Sequence, residues 1–503
     1  MNKEVRYGSN PASSNVSSII RNKTGDNKDR FPFPQNDEIL VCPIGGVAEI
    51  GMNWTLYGHA GRWVLVDAGI SFSGGIASVE AIFPNPEILD PIMPYLDGLI
   101  ITHAHEDHIG AVHRVWPRIN CPIYATPYAA EVLSERFKEV GTRGQVRLHR
   151  FDPGDTISVG PFEVETVPIT HSTVQCVGLL FRTTIGNVFH TGDWKFDPDP
   201  VLGNPTDKTR LAEIGRQGVL AMVSDSTNAA RIGKTTSEGS LLDGFRSVMA
   251  SHRGTIVISC FASNVARMAT IMKAAQMTGR YVGLVGRSME KNERIARSLG
   301  MLDDCDTPIR FWELKHVDGY QRVILCTGTQ GEASAGLSKI ARGEADKFPK
   351  LAPGDVIVHS ARAIPGNEHL IGDILDKCRE QGAIVLEREF GGLPLHATGH
   401  GSADEMIEMY DLIKPTYAIP VHGGPVQLAD HAALADDCGA QSFIPKPGSV
   451  LQVTAAGVRE LAVVPVDLIC QYAVPEGDPP EFGPWTEEIR QSILNPISLA
   501  VAI

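Results

Sequence analysis

No run of roughly 18 consecutive apolar residues occurs in the chain, so no membrane-crossing helix is expected. There is no C-x-x-C pair. The nine cysteines are odd in number and scattered from Cys42 to Cys470. This argues against a disulfide framework or a cysteine-built zinc knot, and fits a reducing, cytoplasmic setting. Positive net charge is also missing. The formal charge is −14, so the chain does not coat nucleic acid by charge alone, and any such chemistry must be local. No apolar core of the signal-peptide kind opens the sequence, and no internal repeat is visible.

What remains is ordinary globular composition, with 43% hydrophobic and 21% charged residues over 503 positions. That length calls for more than one core. Residues 1–36, rich in Asn, Ser, Lys, Asp and Pro, read as a disordered tail. From Glu38 to Thr227 the chain is strand-rich, with hairpins at Trp54–Gly58 with Arg62–Asp67 and at Val177–Thr183 with Asn187–His190. Strands and helices then alternate: Thr255–Cys260, Val265–Thr278, Tyr281–Val285, Met289–Leu299, Arg322–Cys326, Ala335–Arg342, Asp355–Ser360, Glu368–Gln381. This pattern predicts a mostly parallel sheet covered by helices. A helix over Ala403–Ile413 and a strand over Tyr417–Val421 follow. Beyond residue 466 the one expected helix is Thr486–Leu494.

The densest chemistry is Thr102-His-Ala-His-Glu-Asp-His108, directly after the apolar strand Leu99–Thr102. A turn there can aim His103 and His105 at one metal ion, and Asp107 and His108 at a neighbour. Imidazole and carboxylate suit zinc, with manganese as the alternative. Two ions need further ligands and a bridging carboxylate. His171, Asp193 and His422 each stand at the end of an apolar strand. Asp67, in Leu65-Val-Asp67-Ala-Gly69, suits a residue that holds a ligand or turn in place.

With these motifs the sequence resembles the metallo-β-lactamase superfamily from about Glu38 to Val464. The resemblance implies an αββα sandwich, His103, His105 and His171 on one ion, Asp107, His108 and His422 on the other, and Asp193 bridging. Between Asp193 and His422 lie Ser224-Asp-Ser-Thr-Asn228, Phe261-Ala-Ser-Asn264, Thr327-Gly-Thr-Gln-Gly-Glu332, Ile364-Pro-Gly-Asn-Glu368 and Thr398-Gly-His-Gly-Ser402. These resemble the β-CASP nucleases, and among them the ribonuclease J family, as do Gly45–Gly51 and His190–Asp197. The α/β fold implied is the sandwich with an inserted β-CASP domain. The metallo-β-lactamase part would span residues 37–226 and 391–465, the insert 227–390, and a short C-terminal extension 466–503.

The resemblance further implies Asp193, Asp225 and His400 as catalytic. His400 would protonate the departing oxygen beside two metal ions that polarise the phosphate. His396, Thr398, Ser360, Arg362, Ser263 and Asn264 would bind substrate. The implied activity is hydrolysis of single-stranded RNA, both endonucleolytic and 5′→3′ exonucleolytic, in RNA processing and decay. The implied partners are RNA, a second copy of the chain and an RNA-degradation complex.

Four departures stand out. Ala48 replaces the family's Gly, and Ser172-Thr-Val-Gln175 replaces a Ser-Ile-Pro-acidic run. His359-Ser-Ala-Arg362 replaces a serine run. The segment after Pro465 is short, which predicts weaker dimers than is usual in the family. The rival readings are a small-molecule hydrolase of the same fold and an RNA-binding partner with a dead site.

Overall fold

The strand Ile39–Gly45 is buried at every position. A sheet wet on one face would not allow this, so both of its faces must be covered. In the computed structural model, which describes residues 31–72, 79–344, 350–364, 366–474 and 480–485, they are. Ile39 and Val41 point into a core shared with a second sheet. Leu40 and Cys42 point the other way, into a core under the helices Val112–Ile119 and Pro127–Glu139. Alternate residues serve opposite faces because the strand repeat is two.

The first sheet runs in spatial order Gly457–Val463, Ser449–Thr454, Ile39–Gly45, Trp54–His59, Arg62–Val66, Leu96–Ile100, Ile123–Ala125, Leu148–Arg150. The second runs Gln441–Ser442, Tyr417–Val421, Ala221–Asp225, Gly186–His190, Val177–Thr183, Phe162–Pro168, Thr156–Val159. Helices Lys208–Gln217 and Ala403–Ile413 cover its outer face through Leu211, Ile214, Met406 and Met409. This is the expected αββα sandwich.

The alternating segment forms a separate five-stranded parallel sheet in the order Tyr281–Val285, Arg322–Cys326, Ile256–Ser259, Val356–His359, Ile384–Leu386. Its helices include Val265–Met277 and Glu368–Glu380. It meets the sandwich partly through polar contacts between helices Pro127–Glu139 and Arg287–Ser298. Tyr128 Oη donates to Asn292 Oδ1 at 2.7 Å, and Arg294 meets Glu135 at 3.2 Å.

The structure corrects the sequence reading at both ends. Residues 1–30 and the helix Thr486–Leu494 lie outside the described residues, but residues 31–37, expected in the tail or just after it, are packed against the body. Phe31 packs edge-on against Trp63 at 5.6 Å, and Gly61 N donates to Pro34 O at 2.8 Å. Two phenylalanines in an otherwise polar run find the tip of the Trp54–His59 hairpin. The C-terminal extension contributes strands to the body: Leu468–Tyr472 pairs with Val79–Pro84 on one side and Glu481–Pro484 on the other. The segment 38–227 also carries more helix than expected. Pro127 opens the helix Pro127–Glu139, a position where its missing N–H costs nothing.

Candidate metal centre

Both sandwich sheets end at one edge, and the candidate residues stand there. Strand Leu96–Ile100 leads into the turn 101–105, and His105 precedes the single helical turn Glu106–Ile109. The turn is pressed against residues 67–70. A Cβ on Gly69 would lie 1.6 Å from Asp107 O, so only glycine allows this crossing. Asp67 has φ 59° and His422 φ 53°, the left-handed region that side chains rarely adopt. Backbone held in this way concentrates at functional sites.

His103 Nε2 and His171 Nε2 both face His105 Nδ1, at 3.2 and 3.0 Å. Asp193 Oδ2 lies 3.8 Å from His103 Nε2 and 3.7 Å from His171 Nε2. A second group joins Asp107, His108, Asp193 and His422: His108 Nε2 is 3.2 Å from Asp193 Oδ2, and His422 Nε2 is 3.0 Å from Asp107 Oδ2. A third joins Asp193, Asp225, His400 and His422.

The outward ring nitrogens are fixed by neighbours. His171 Nδ1 donates to Gly399 O at 2.7 Å. His108 Nδ1 donates to Asp67 Oδ2 at 2.7 Å, while Asp67 also accepts from Thr102 N and Thr102 Oγ1. His103 Nδ1 meets Thr102 Oγ1 at 2.9 Å. The His103 and His171 rings are thereby left with Nε2 as a lone pair pointing inward. Burial pushes His103 and His171 well below the ordinary histidine range and His105 down to about 4. His103 Nε2 and His171 Nε2 converge on His105 Nδ1 with at most one proton among the three nitrogens, and the buried Asp193 Oδ2 has no hydrogen-bond partner. A cation resolves both conflicts, so the donor set fits divalent metal ions.

On the carboxylate side the charge balance reverses. Burial alone would raise Asp193, but the imidazoles of His108, His422 and His400 hold it well below the carboxylate range. Burial opposes protonation of His422, yet Asp193, Asp107 and Asp225 outweigh it and lift His422 to about 10. His400 is raised in the same way, against burial, by Asp225 and Asp193. Its Nδ1 lies 2.8 Å from Asp225 Oδ2, so Nε2 is the nitrogen free to exchange a proton. Asp225 Oδ1 in turn accepts from Thr227 N and Thr227 Oγ1.

The stretch 396–400 runs beside the cluster. A Cβ on Gly399 would come within 2.7 Å of His171 Cε1, so this glycine lets the chain lie on the ligand ring. His396 is half-buried, and its Nε2 is buried without a partner. Thr398 Oγ1 accepts from Asn228 Nδ2 at 3.2 Å. Ser360 is fully buried, and its hydroxyl is used twice: it accepts from Arg267 Nη1 and donates to Leu395 O, both at 2.6 Å. Asn264 caps the helix Val265–Met277 through Arg267 N, beside the half-buried Ser263. Arg362 is exposed and donates to Asn228 Oδ1 at 3.1 Å.

Sequence reasoning did not single out Thr102, Thr227, Asn228, Arg267 or Glu238. Asn228 and Thr227 carried a signal, because they lie in the quoted Ser224–Asn228 motif. Arg267 and Glu238 carried none: their buried ion pair joins two ordinary residue types that stand in no common motif.

Three family models match this chain: "Beta-lactamase superfamily domain" over residues 62–211, "Ribonuclease J, beta-CASP domain" over 253–378, and "Zn-dependent metallo-hydrolase RNA specificity domain" over 395–445. Ribonuclease J of Sinorhizobium meliloti is 39% identical over 487 residues, covering 95% of this chain and 85% of that protein. Ribonuclease J of Helicobacter pylori (strain ATCC 700392 / 26695) is 34% identical over 435 residues, covering 85% of this chain and 62% of that protein. A crystal structure of a protein of unknown function from Enterococcus faecalis V583 shares the fold, with a TM-score of 0.57 at 15% identity over 83% of this chain and all of that one. Taken with the metal-ligand geometry and the inserted parallel sheet, these matches establish that the chain belongs to the ribonuclease J family.

Proposed function

We propose that the protein is a metal-dependent ribonuclease that hydrolyses single-stranded RNA, as an endonuclease and a 5′→3′ exonuclease, and leaves 5′-phosphate products. The observation that carries this reading is the pair of ligand groups sharing Asp193, with His400 beside them. His103, His105 and His171 would hold one ion, Asp107, His108 and His422 the other, with Asp193 between. Two divalent ions there, which we take to be zinc with manganese as the alternative, would polarise the phosphoryl oxygens and lower the pKa of a bound water. The chain's own residues do the rest. Asp225 holds a proton on His400 Nδ1, which leaves Nε2 to give a proton to the departing 3′-oxygen. Asp67 and Gly399 O fix the ring orientations of His108 and His171. His396 and Thr398, with Arg362, would receive a substrate phosphate, while Ser360 braces the loop that carries them.

Among the described residues no helix is long and apolar enough to cross a membrane. We further place the enzyme in the cytoplasm, as a homodimer and a member of an RNA-degradation complex. The functional reading is tested with one 5′-labelled RNA incubated with and without chelator. Short products that vanish with chelator and return with added zinc or manganese are expected. A metal-loaded protein that leaves RNA intact but opens nitrocefin or a thioester would replace the ribonuclease with a small-molecule hydrolase.

A further inference from the structure

Asn53 stands at the metal centre without belonging to either ligand group. Its backbone is tied down on both sides: Asn53 N donates to Asp107 O at 2.9 Å, and Gly69 N donates to Asn53 O at 3.3 Å. Just before it, Met52 N donates to Ile70 O at 3.1 Å. The side chain is fixed as well. A Cβ on Gly46 would fall 2.2 Å from Asn53 Oδ1, so that glycine, with φ 73°, makes room for the carboxamide. Asn53 Nδ2 donates to Asp107 O at 3.2 Å and lies 3.1 Å from His108 Nε2. A backbone oxygen only accepts, so the end of the amide beside the ligands is the NH2 group, and the carbonyl is turned away towards Gly46.

That orientation decides what Asn53 can bind. A cation takes the oxygen end of an amide. An NH2 group beside the ligands repels a cation and attracts the anion that the cation draws in. The group carries two protons, and Asp107 O accepts one. The other is left for the side of His108 Nε2, the ring nitrogen that would hold the second ion, because His108 Nδ1 is engaged by Asp67. A nitrogen that gives its lone pair to a metal ion has none left for a hydrogen bond. In the working site this proton has no acceptor on the ring, in a residue that is only half-buried. In the proposed reaction the acceptor that meets the second ion is an oxygen of the scissile phosphate.

We propose that Asn53 is a catalytic residue whose Nδ2 donates a hydrogen bond to one non-bridging oxygen of the scissile phosphate. The inference rests on the ribonuclease reading. The carboxamide is neutral, so it adds a donor without adding a charge that would compete with the ligands. It is also held in place before substrate arrives. A donor fixed in this way stabilises charge as it develops, and the loss of one costs about 10²–10³-fold in turnover.

The test uses the metal-loaded chain with Asn53→Ala, and with Asn53→Asp, which keeps the shape but has no N–H to give and serves if the alanine variant does not fold. The substrate is one RNA sequence, made with an ordinary phosphate, an Rp phosphorothioate or an Sp phosphorothioate at its main cleavage site. On the all-oxygen RNA each variant should lose about 10²-fold in kcat with little change in KM. Sulfur accepts hydrogen bonds poorly. On the diastereomer that places sulfur at the contacted position, wild type has already lost the bond, so the variants should fall only about threefold further. On the other diastereomer the full loss should remain. Metal count by native mass spectrometry and metal affinity by dye competition, both read without RNA, should equal wild type in Asn53→Ala. An equal loss on all three RNAs, or a loss that follows weakened metal binding, would show that Asn53 only braces Asp107. An unchanged rate would show that it does neither. Each of these results overturns the assignment and leaves the ribonuclease reading standing. A metal-loaded wild type that cuts none of the three RNAs overturns both.

Discussion

Two buried polar clusters grip the same stretch of chain from opposite sides. On one side His171 Nδ1 holds Gly399 O; on the other Arg267 Nη2 holds Ala397 O at 3.0 Å. The clusters differ in completeness. Arg267 spends its donors on Glu238, on Ser360 and on Ala397, and needs nothing from outside the protein. The cluster of His103, His105, His171 and Asp193 turns three ring nitrogens at one another with at most one proton among them and leaves Asp193 Oδ2 unpartnered. A closed network rigidifies, whereas an open one marks where a ligand completes the structure. The stretch carrying His396, Thr398 and His400 thus lies between a fixed wall and a ligand-dependent one.

That contrast can be broken from either side. The largest effect is expected for His105→Ala, which removes the ring that both His103 and His171 face. RNA cleavage should be abolished and bound metal reduced, read by product gels and metal analysis. Full metal content with full activity would contradict the ligand assignment. Next, His400→Ala should slow turnover by about 10²–10⁴-fold, while metal content and melting temperature stay put. A loss of metal would move His400 into the ligand set. The closed cluster should respond in stability instead. Glu238→Ala leaves the Arg267 charge buried and alone, at a cost of about 3–5 kcal/mol, seen as a lower denaturation midpoint. A midpoint equal to wild type would mean that the wall is not what holds the stretch. The smallest effect is expected for Asp67→Asn, which keeps shape but weakens the hold on His108. Metal affinity should fall about 10–100-fold, measured by competition with a chelating dye.

The two clusters also differ in how visible they were in the sequence. Imidazoles and carboxylates crowd at the ends of apolar strands, so residues 102–108 and the isolated His171, Asp193 and His422 could be picked out before any fold was known. The same alternation of apolar positions showed the hairpins and the inserted parallel sheet. The wall was illegible because Glu238 and Arg267 are commonplace residues whose meaning comes only from contact, with Arg267 reaching on to Ser360, 93 residues away. Distance hid the C-terminal strand too. Gln471 bonds Glu80 across 391 positions, and no local pattern announces that pairing. Ser360 drew notice for its motif, but its hydroxyl turns inward to the wall rather than to the cleft.

The central claim is that the open cluster is finished by two cations. The most direct measurement strips the chain of metal and titrates it with zinc by calorimetry, counting ions by native mass spectrometry. Two ions per chain are expected, falling when His105 or His422 is replaced. Binding of no ion by a folded, metal-free chain, or the same two ions in a protein lacking both histidines, would contradict the account.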